Sequence, residues 1–99
     1  MKYICVKWIH SNPTEPVLLY SELDPAKWEI RKVEVWADGT KGFASETESF
    51  GSTQLSEEPL PPLDEIASDP QFQPSEITKE EFEALWEARH APPTEARRP

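Results

Sequence analysis

The sequence predicts an α+β domain: a small antiparallel sheet of about four strands packed against a C-terminal helix, with a proline-rich acidic loop region between them. Three observations carry that expectation. Apolar residues, many β-branched or aromatic, recur with period two in the first half of the chain. An Asp-Gly pair, Asp38-Gly39, separates two extended runs. A capping box, Thr78-Lys79-Glu80-Glu81, opens an amphipathic stretch near the C-terminus. Strands come first and the helix last, with no repeated strand–helix unit, which separates this class from a parallel α/β sheet.

Over residues 2–10, Ile4, Val6 and Trp8 alternate with Tyr3, Cys5, Lys7 and Ile9, the pattern of a strand with two distinct faces. Residues 11–16 hold Asn12, Pro13 and Pro16 and read as a loop, because they favour turn geometry and the prolines withhold donors. Val17 to Leu23 resumes an extended pattern, Asp24-Pro25-Ala26-Lys27 is a turn, and Trp28 to Trp36 is the longest strand. In that strand Trp28 and Ile30 share one face while Val33 and Val35 take the other, which calls for a bulge or for burial on both faces. Asp38-Gly39 predicts a tight hairpin with positive φ at both central residues. Lys41 to Ser45 then pairs back with Phe43 inward, and a further short strand is expected near Ser52–Leu55. After Glu57 the prolines Pro59, Pro61 and Pro62 break regular structure, Leu63 to Ala67 forms one helical turn, and Asp69-Pro70 ends it. Phe82, Leu85, Trp86 and Arg89 follow the capping box at helical spacing, giving a helix of about three turns. Ala91-Pro92-Pro93 stops the helix, so residues 1–90 are expected to form a single domain and residues 91–99 a flexible tail.

Ninety-nine residues are one domain's worth of chain. A domain of this size hides about two-thirds of the surface of its unfolded chain, enough for one modest core. The aromatic residues, four of them tryptophans, supply that core although only 36% of the sequence is hydrophobic. The single cysteine, Cys5, excludes an intramolecular disulfide and a thiolate zinc site, and in a hydrophobic strand it reads as a small apolar residue. Lys7 interrupts the N-terminal apolar run far short of a signal-peptide core or membrane span, so the expected address is the reducing cytoplasm, away from membranes. No cofactor is expected. Asp64, Glu65 and Asp69 resemble a fragment of a calcium loop but lack its central glycine and closing glutamate, so no metal site is expected there.

Charge is the most uneven feature. Residues 1–44 carry six basic and six acidic side chains, whereas residues 45–88 carry twelve acids and one base, Lys79. The net charge of −9 would repel a polyanionic substrate, which argues against nucleic-acid binding. Glu57, Glu58, Asp64, Glu65 and Asp69 cluster beside proline-stiffened loops and are the candidate partner-binding residues. Their ordinary role is solubility. The skew exceeds what solubility needs, and a rigid acidic loop suits docking to a basic cleft. The expected partner is therefore a basic protein, and no nucleic acid.

One group has the residue types for chemistry. His10, Glu22 and Arg31 fall on three successive strands, and a histidine, a carboxylate and an arginine are what a small ribonuclease needs as acid, base and phosphate clamp. The ordinary alternative is a polar network on a solvated sheet face. Trp8, Trp28, Trp36 and Tyr20 lack the interleaved basic groove of a base-stacking platform and read as core, with one tryptophan left exposed as an interface anchor.

Several stretches, among them Trp8-Ile9-His10, residues 15–24 (EPVLLYSELD), residues 28–34 (WEIRKVE), Asp38-Gly39, Pro62-Leu63-Asp64-Glu65-Ile66 and residues 77–82 (ITKEEF), resemble a family of small bacterial domains catalogued as a domain of unknown function. The resemblance covers about residues 2–88 and implies a self-contained domain without assigning it an activity. Size, charge asymmetry and the lack of a catalytic motif together predict a non-catalytic acidic protein-binding domain. An immunity-type or inhibitor protein masking a basic surface, such as that of a toxin, is the concrete form. The alternative is a small enzyme or ligand-binding domain built on His10, Glu22 and Arg31.

Overall fold

Side-chain alternation in the first strand already implies a sheet covered on both faces, and the computed structural model, which describes residues 1–90, has that arrangement. The strands are β1 (Lys2–Trp8), β2 (Leu18–Leu23), β3 (Glu29–Val35), β4 (Lys41–Ser45), β5 (Ser49–Phe50) and β6 (Phe72–Glu76). The helices are α1 (Leu63–Ala67), between β5 and β6, and α2 (Lys79–Glu87). The class is α+β as predicted. Among the described residues the sheet has six strands in the order β5-β4-β3-β2-β1-β6, where about four were expected, and there are two short helices. All its pairings are antiparallel. The predicted tail over residues 91–99 lies outside the described residues.

The two additional strands extend the two edges. β6 pairs with β1 from Ile4↔Glu76 to Trp8↔Phe72 and contains Pro74, which an edge strand tolerates because one side of its backbone needs no partner. β5 is two residues long and sits at Ser49–Phe50, so the short strand expected at Ser52–Leu55 is displaced. Residues 52–55 instead leave the sheet and fold over it.

One face carries a core of Tyr3, Val33, Phe43 and Phe82, with Tyr20, Ile77 and Trp86 packed against it. α2 covers this face through Phe82, which is fully buried, and Trp86, while Leu85 is only half-buried. The capping box forms as predicted: Thr78 Oγ1 accepts from the Glu81 backbone N–H at 3.1 Å, and Glu81 Oε1 accepts from the Thr78 N–H at 2.9 Å. The opposite face carries Ile4, Val6 and Leu23, covered by Leu60, Leu63 and Ile66 from the proline-rich segment.

Of the two explanations offered for the broken alternation in the third strand, a bulge is the one present. β2 and β3 pair Glu22 with Arg31 and then Leu23 with Glu29, leaving Ile30 as the extra residue. Glu29 and Arg31, two apart in sequence, therefore point to opposite faces. The Asp38-Gly39 hairpin differs in type from the expectation. Only Gly39 has positive φ, at 90°, and the chain closes through Gly39 N–H to Trp36 O and Trp36 N–H to Thr40 O, both 2.9 Å. This is a three-residue loop with glycine in the left-handed position. Asp38 instead accepts from the Thr40 N–H at 3.0 Å and from its hydroxyl at 2.7 Å. The Asp24–Trp28 turn repeats the design with Lys27, φ 72°, where glycine would be easiest.

Candidate functional site

The bulge decides what Arg31 can reach. On the α2 face, Arg31 lies directly across the ladder from Glu22, and Glu22 lies across from Tyr3. Arg31 Nε and Nη2 both donate to the Glu22 carboxylate, the latter at 3.0 Å. Arg31 Nη1 and Nη2 donate to Glu83 on α2 at 3.1 and 2.7 Å. Tyr3 Oη donates to Glu22 Oε2 at 2.9 Å. The guanidinium also lies over the rings of Phe82 and Trp86, 5.0 and 5.2 Å from their centroids. A planar donor fork between two carboxylates and two aromatic faces is a geometry lysine could not supply.

The electrostatics follow from that geometry. The guanidinium beside it holds the Glu22 carboxyl below the usual carboxylate range against the opposing effect of burial, and it does the same for Glu83. The two carboxylates hold Arg31 firmly charged. Burial first, then the hydrogen bond to Glu22, pushes the Tyr3 phenol up. A carboxylate held ionised by a bidentate arginine has little basicity to offer, so this knot joins α2 to the sheet better than it transfers protons.

His10 does not join it. It lies beyond the far end of β1, seven residues from Tyr3, which along extended chain is roughly 20 Å. Its ring packs edge-on against Trp8, its Nε2 lies 2.8 Å from Pro16 O, and its Nδ1 accepts from the Asn12 N–H at 3.0 Å. Trp8 in turn packs on Phe72, which belongs to the opposite core. Glu22 and Arg31 are thus brought together and His10 is held apart from them, on the other face and at the other end. A cavity of about 490 Å³ opens beside the knot, lined by Glu22, Arg31, Ser45, Thr47, Trp86 and Arg89 among others. Arg89 stacks on Trp86 at 4.2 Å and donates to Glu48 Oε1, which ties the end of α2 to the turn before β5.

The candidate partner-binding residues lie on the other face. Glu57, Glu58, Asp64, Glu65 and Asp69 are all exposed on the segment that covers the second core. None of them makes an ion pair with a cation among the described residues, whereas Glu22, Glu29, Glu48, Glu76 and Glu83 each do. No group of three or more His, Cys, Asp or Glu side chains among the described residues is arranged to hold a metal ion.

That acidic segment is anchored by a polar network the sequence did not announce. Ser21 Oγ donates to Glu29 Oε2 at 2.6 Å, and Glu29 Oε1 accepts from the Ser56 N–H at 2.7 Å and pairs with Lys32 at 3.2 Å. Thr53, almost wholly buried, donates to Glu34 Oε1 at 2.7 Å. It sits over Gly42, where a Cβ would collide with its Oγ1. The backbone at Leu60 then bonds Lys27 O at 2.8 Å. The acidic loop is therefore fixed to the sheet at Thr53, Ser56 and Leu60.

The remaining aromatic residues are dispersed. Trp28 is the exposed tryptophan, at 42%, while Trp36 donates to Thr14 O and the Trp86 ring contacts both Arg31 and Arg89. Burial pushes the Cys5 thiol up, which lowers its reactivity. No helix among the described residues is long and apolar enough to cross a membrane.

The family model described as Domain of unknown function (DUF6881) matches residues 2–91. The chain belongs to this family. The DUF6881 match spans the whole sheet and both helices, so the acidic segment and the Arg31 knot both lie within the family's domain. No curated protein and no solved structure matches the chain.

Proposed function

We propose that this domain is a non-catalytic protein-binding module that uses its acidic covering segment to mask a basic surface on another protein. The observation that carries the proposal is the set of five exposed carboxylates, Glu57, Glu58, Asp64, Glu65 and Asp69, which form no ion pair among the described residues and lie on a segment pinned to the sheet. A pinned acidic surface loses little freedom on docking, and its charge speeds encounter with a basic partner. An immunity-type or inhibitor role, in which the partner is a toxin with a basic active surface, fits this chemistry and the net charge of −9. A lone, half-buried cysteine is compatible with work in a reducing cytoplasm.

A second reading is favoured by one observation, the cavity of about 490 Å³ beside Glu22 and Arg31. It would make the domain a small-ligand binder at those residues, without His10. Affinity capture from a lysate of the source organism, washed at low and at high salt, separates the two. The acidic-mask reading expects a basic protein retained at low salt and released at high salt. Retention unaffected by salt would refute it.

A further inference from the structure

The covering segment does not seal the face it lies on. Where Leu60 and Pro61 cross the sheet, an apolar groove of about 320 Å³ remains beside them, with Val6, Leu19, Leu60, Ile66 and Phe72 as its walls. Val6 and Leu19 are opposite each other on β1 and β2, Phe72 opens β6, and Ile66 faces them from α1. Among the described residues, the charged side chains on its rim are Glu65 and Asp69, both acidic. A smaller cavity of about 200 Å³ on the other flank of Leu60 and Pro61 is bordered by Lys2, Lys27 and Glu76, so its rim carries mixed charge.

We infer that the groove between α1 and the β1–β2–β6 face is the anchor point for the partner, and that it takes a short basic segment presenting one or two large apolar side chains flanked by lysine or arginine. This deepens the acidic-mask proposal and rests on it. The volume lies at the lower end of the range for binding pockets, about 300–1,000 Å³, which suits side chains better than a bulky cofactor. Exposed carboxylates at Glu65 and Asp69 complement a cation beside the inserted side chain and disfavour an acidic one. The other exposed acids of the covering segment, Glu57, Glu58 and Asp64, would steer the segment by long-range attraction, while the groove would supply the apolar burial that charge alone lacks.

The test uses the full chain, methyl-resolved NMR and three blocked hexapeptides at low salt. The first is Lys-Lys-Leu-Phe-Lys-Lys, the second replaces its Leu-Phe with Gly-Gly, and the third replaces its lysines with glutamates. The inference expects the first to shift the methyl signals of Val6, Leu19, Leu60 and Ile66, the second to bind about tenfold more weakly, and the third not to bind. Glu65→Gln with Asp69→Asn, both at exposed positions, should weaken the first peptide several-fold without altering thermal stability. If the glycine peptide binds as tightly as the first, the groove is not the anchor, and the acidic-mask proposal survives without it. Equal binding of the glutamate peptide, or no binding by either basic peptide, would overturn both. Concentration-dependent groove shifts without peptide would mean that a second copy of the chain fills it, which overturns the choice of occupant.

Discussion

Replacing Arg31 with methionine removes the charge that holds two carboxylates while keeping a side chain that can lie on Phe82 and Trp86. Glu22, with a side chain only 9% exposed, would then keep one partner among the described residues, the Tyr3 hydroxyl. Breaking a buried ion pair by deleting one member costs about 3–5 kcal/mol, and the partial exposure of Arg31 and of Glu83 reduces this to about 2–3 kcal/mol. In a domain of this size that corresponds to a fall of roughly 10–20 °C in Tm. The effect is tied to pH. In the native protein Glu22 and Glu83 have depressed folded pKa values, so their contribution is fully present above the unfolded value of 4.5 and is lost as pH falls through the lower folded values. In the variant the guanidinium is gone and burial is the largest remaining influence on Glu22, pushing its carboxyl up against the smaller lowering effects of the Tyr3 hydrogen bond and the Lys79 charge. Lowering the pH from 7 toward 4.5 should then stabilise the variant and narrow its gap to the native protein. Urea denaturation at pH 7 and pH 5 measures both effects, and adding Glu22→Gln should restore more than half of the loss. A loss below about 0.5 kcal/mol, or a gap that does not change with pH, would refute the account of this knot.

Two further substitutions probe the supports of the acidic segment. Gly42→Ala should destabilise the domain by about 1–3 kcal/mol because its Cβ meets Thr53 Oγ1. Combining it with Thr53→Ala should cost less than the sum of the two single changes in a urea-denaturation cycle, and strict additivity would show that Gly42 does not position residue 53. Lys27→Gly should stabilise by about 0.5–1 kcal/mol by relieving the left-handed backbone at φ 72°, seen as a higher urea midpoint with an unchanged slope.

Much of the fold was legible because local signals agreed with the global arrangement. The alternation of Tyr3 and Cys5 against Ile4 and Val6 sorted these residues onto opposite faces, although Cys5 and Tyr20 are only half-buried. The broken alternation from Trp28 to Val35 left a bulge as one of two explanations, and the capping box fixed the start of α2. β6 was missed because Pro74 and three polar residues mask an edge strand that pairs on one side only. The hairpin type was misjudged because Asp38 caps the turn with its side chain and leaves the left-handed position to Gly39 alone.

The candidate site was legible only in part. Charge counting located Glu57, Glu58, Asp64, Glu65 and Asp69, and exposure is the normal fate of such residues. Glu22 and Arg31 could be placed on adjacent strands, but whether His10 joined them depended on register. The ladder sets Glu22 against Tyr3, and His10 lies a whole strand length away. Glu83 had no sequence signal as a partner of Arg31, 52 residues earlier, because that contact exists only once α2 lies across the sheet. The Ser21–Glu29–Ser56 network was equally silent: an ordinary serine and glutamate become significant only when the bulge turns Glu29 inward.

We propose that the exposed carboxylates of the covering segment hold a basic partner. The most direct test is side-by-side capture at low salt with the native chain and with a variant carrying Glu57→Gln, Glu58→Gln, Asp64→Asn, Glu65→Gln and Asp69→Asn, after both show the same Tm. The expected result is a basic protein held by the native chain and lost from the variant. The same basic protein retained equally by both would contradict it.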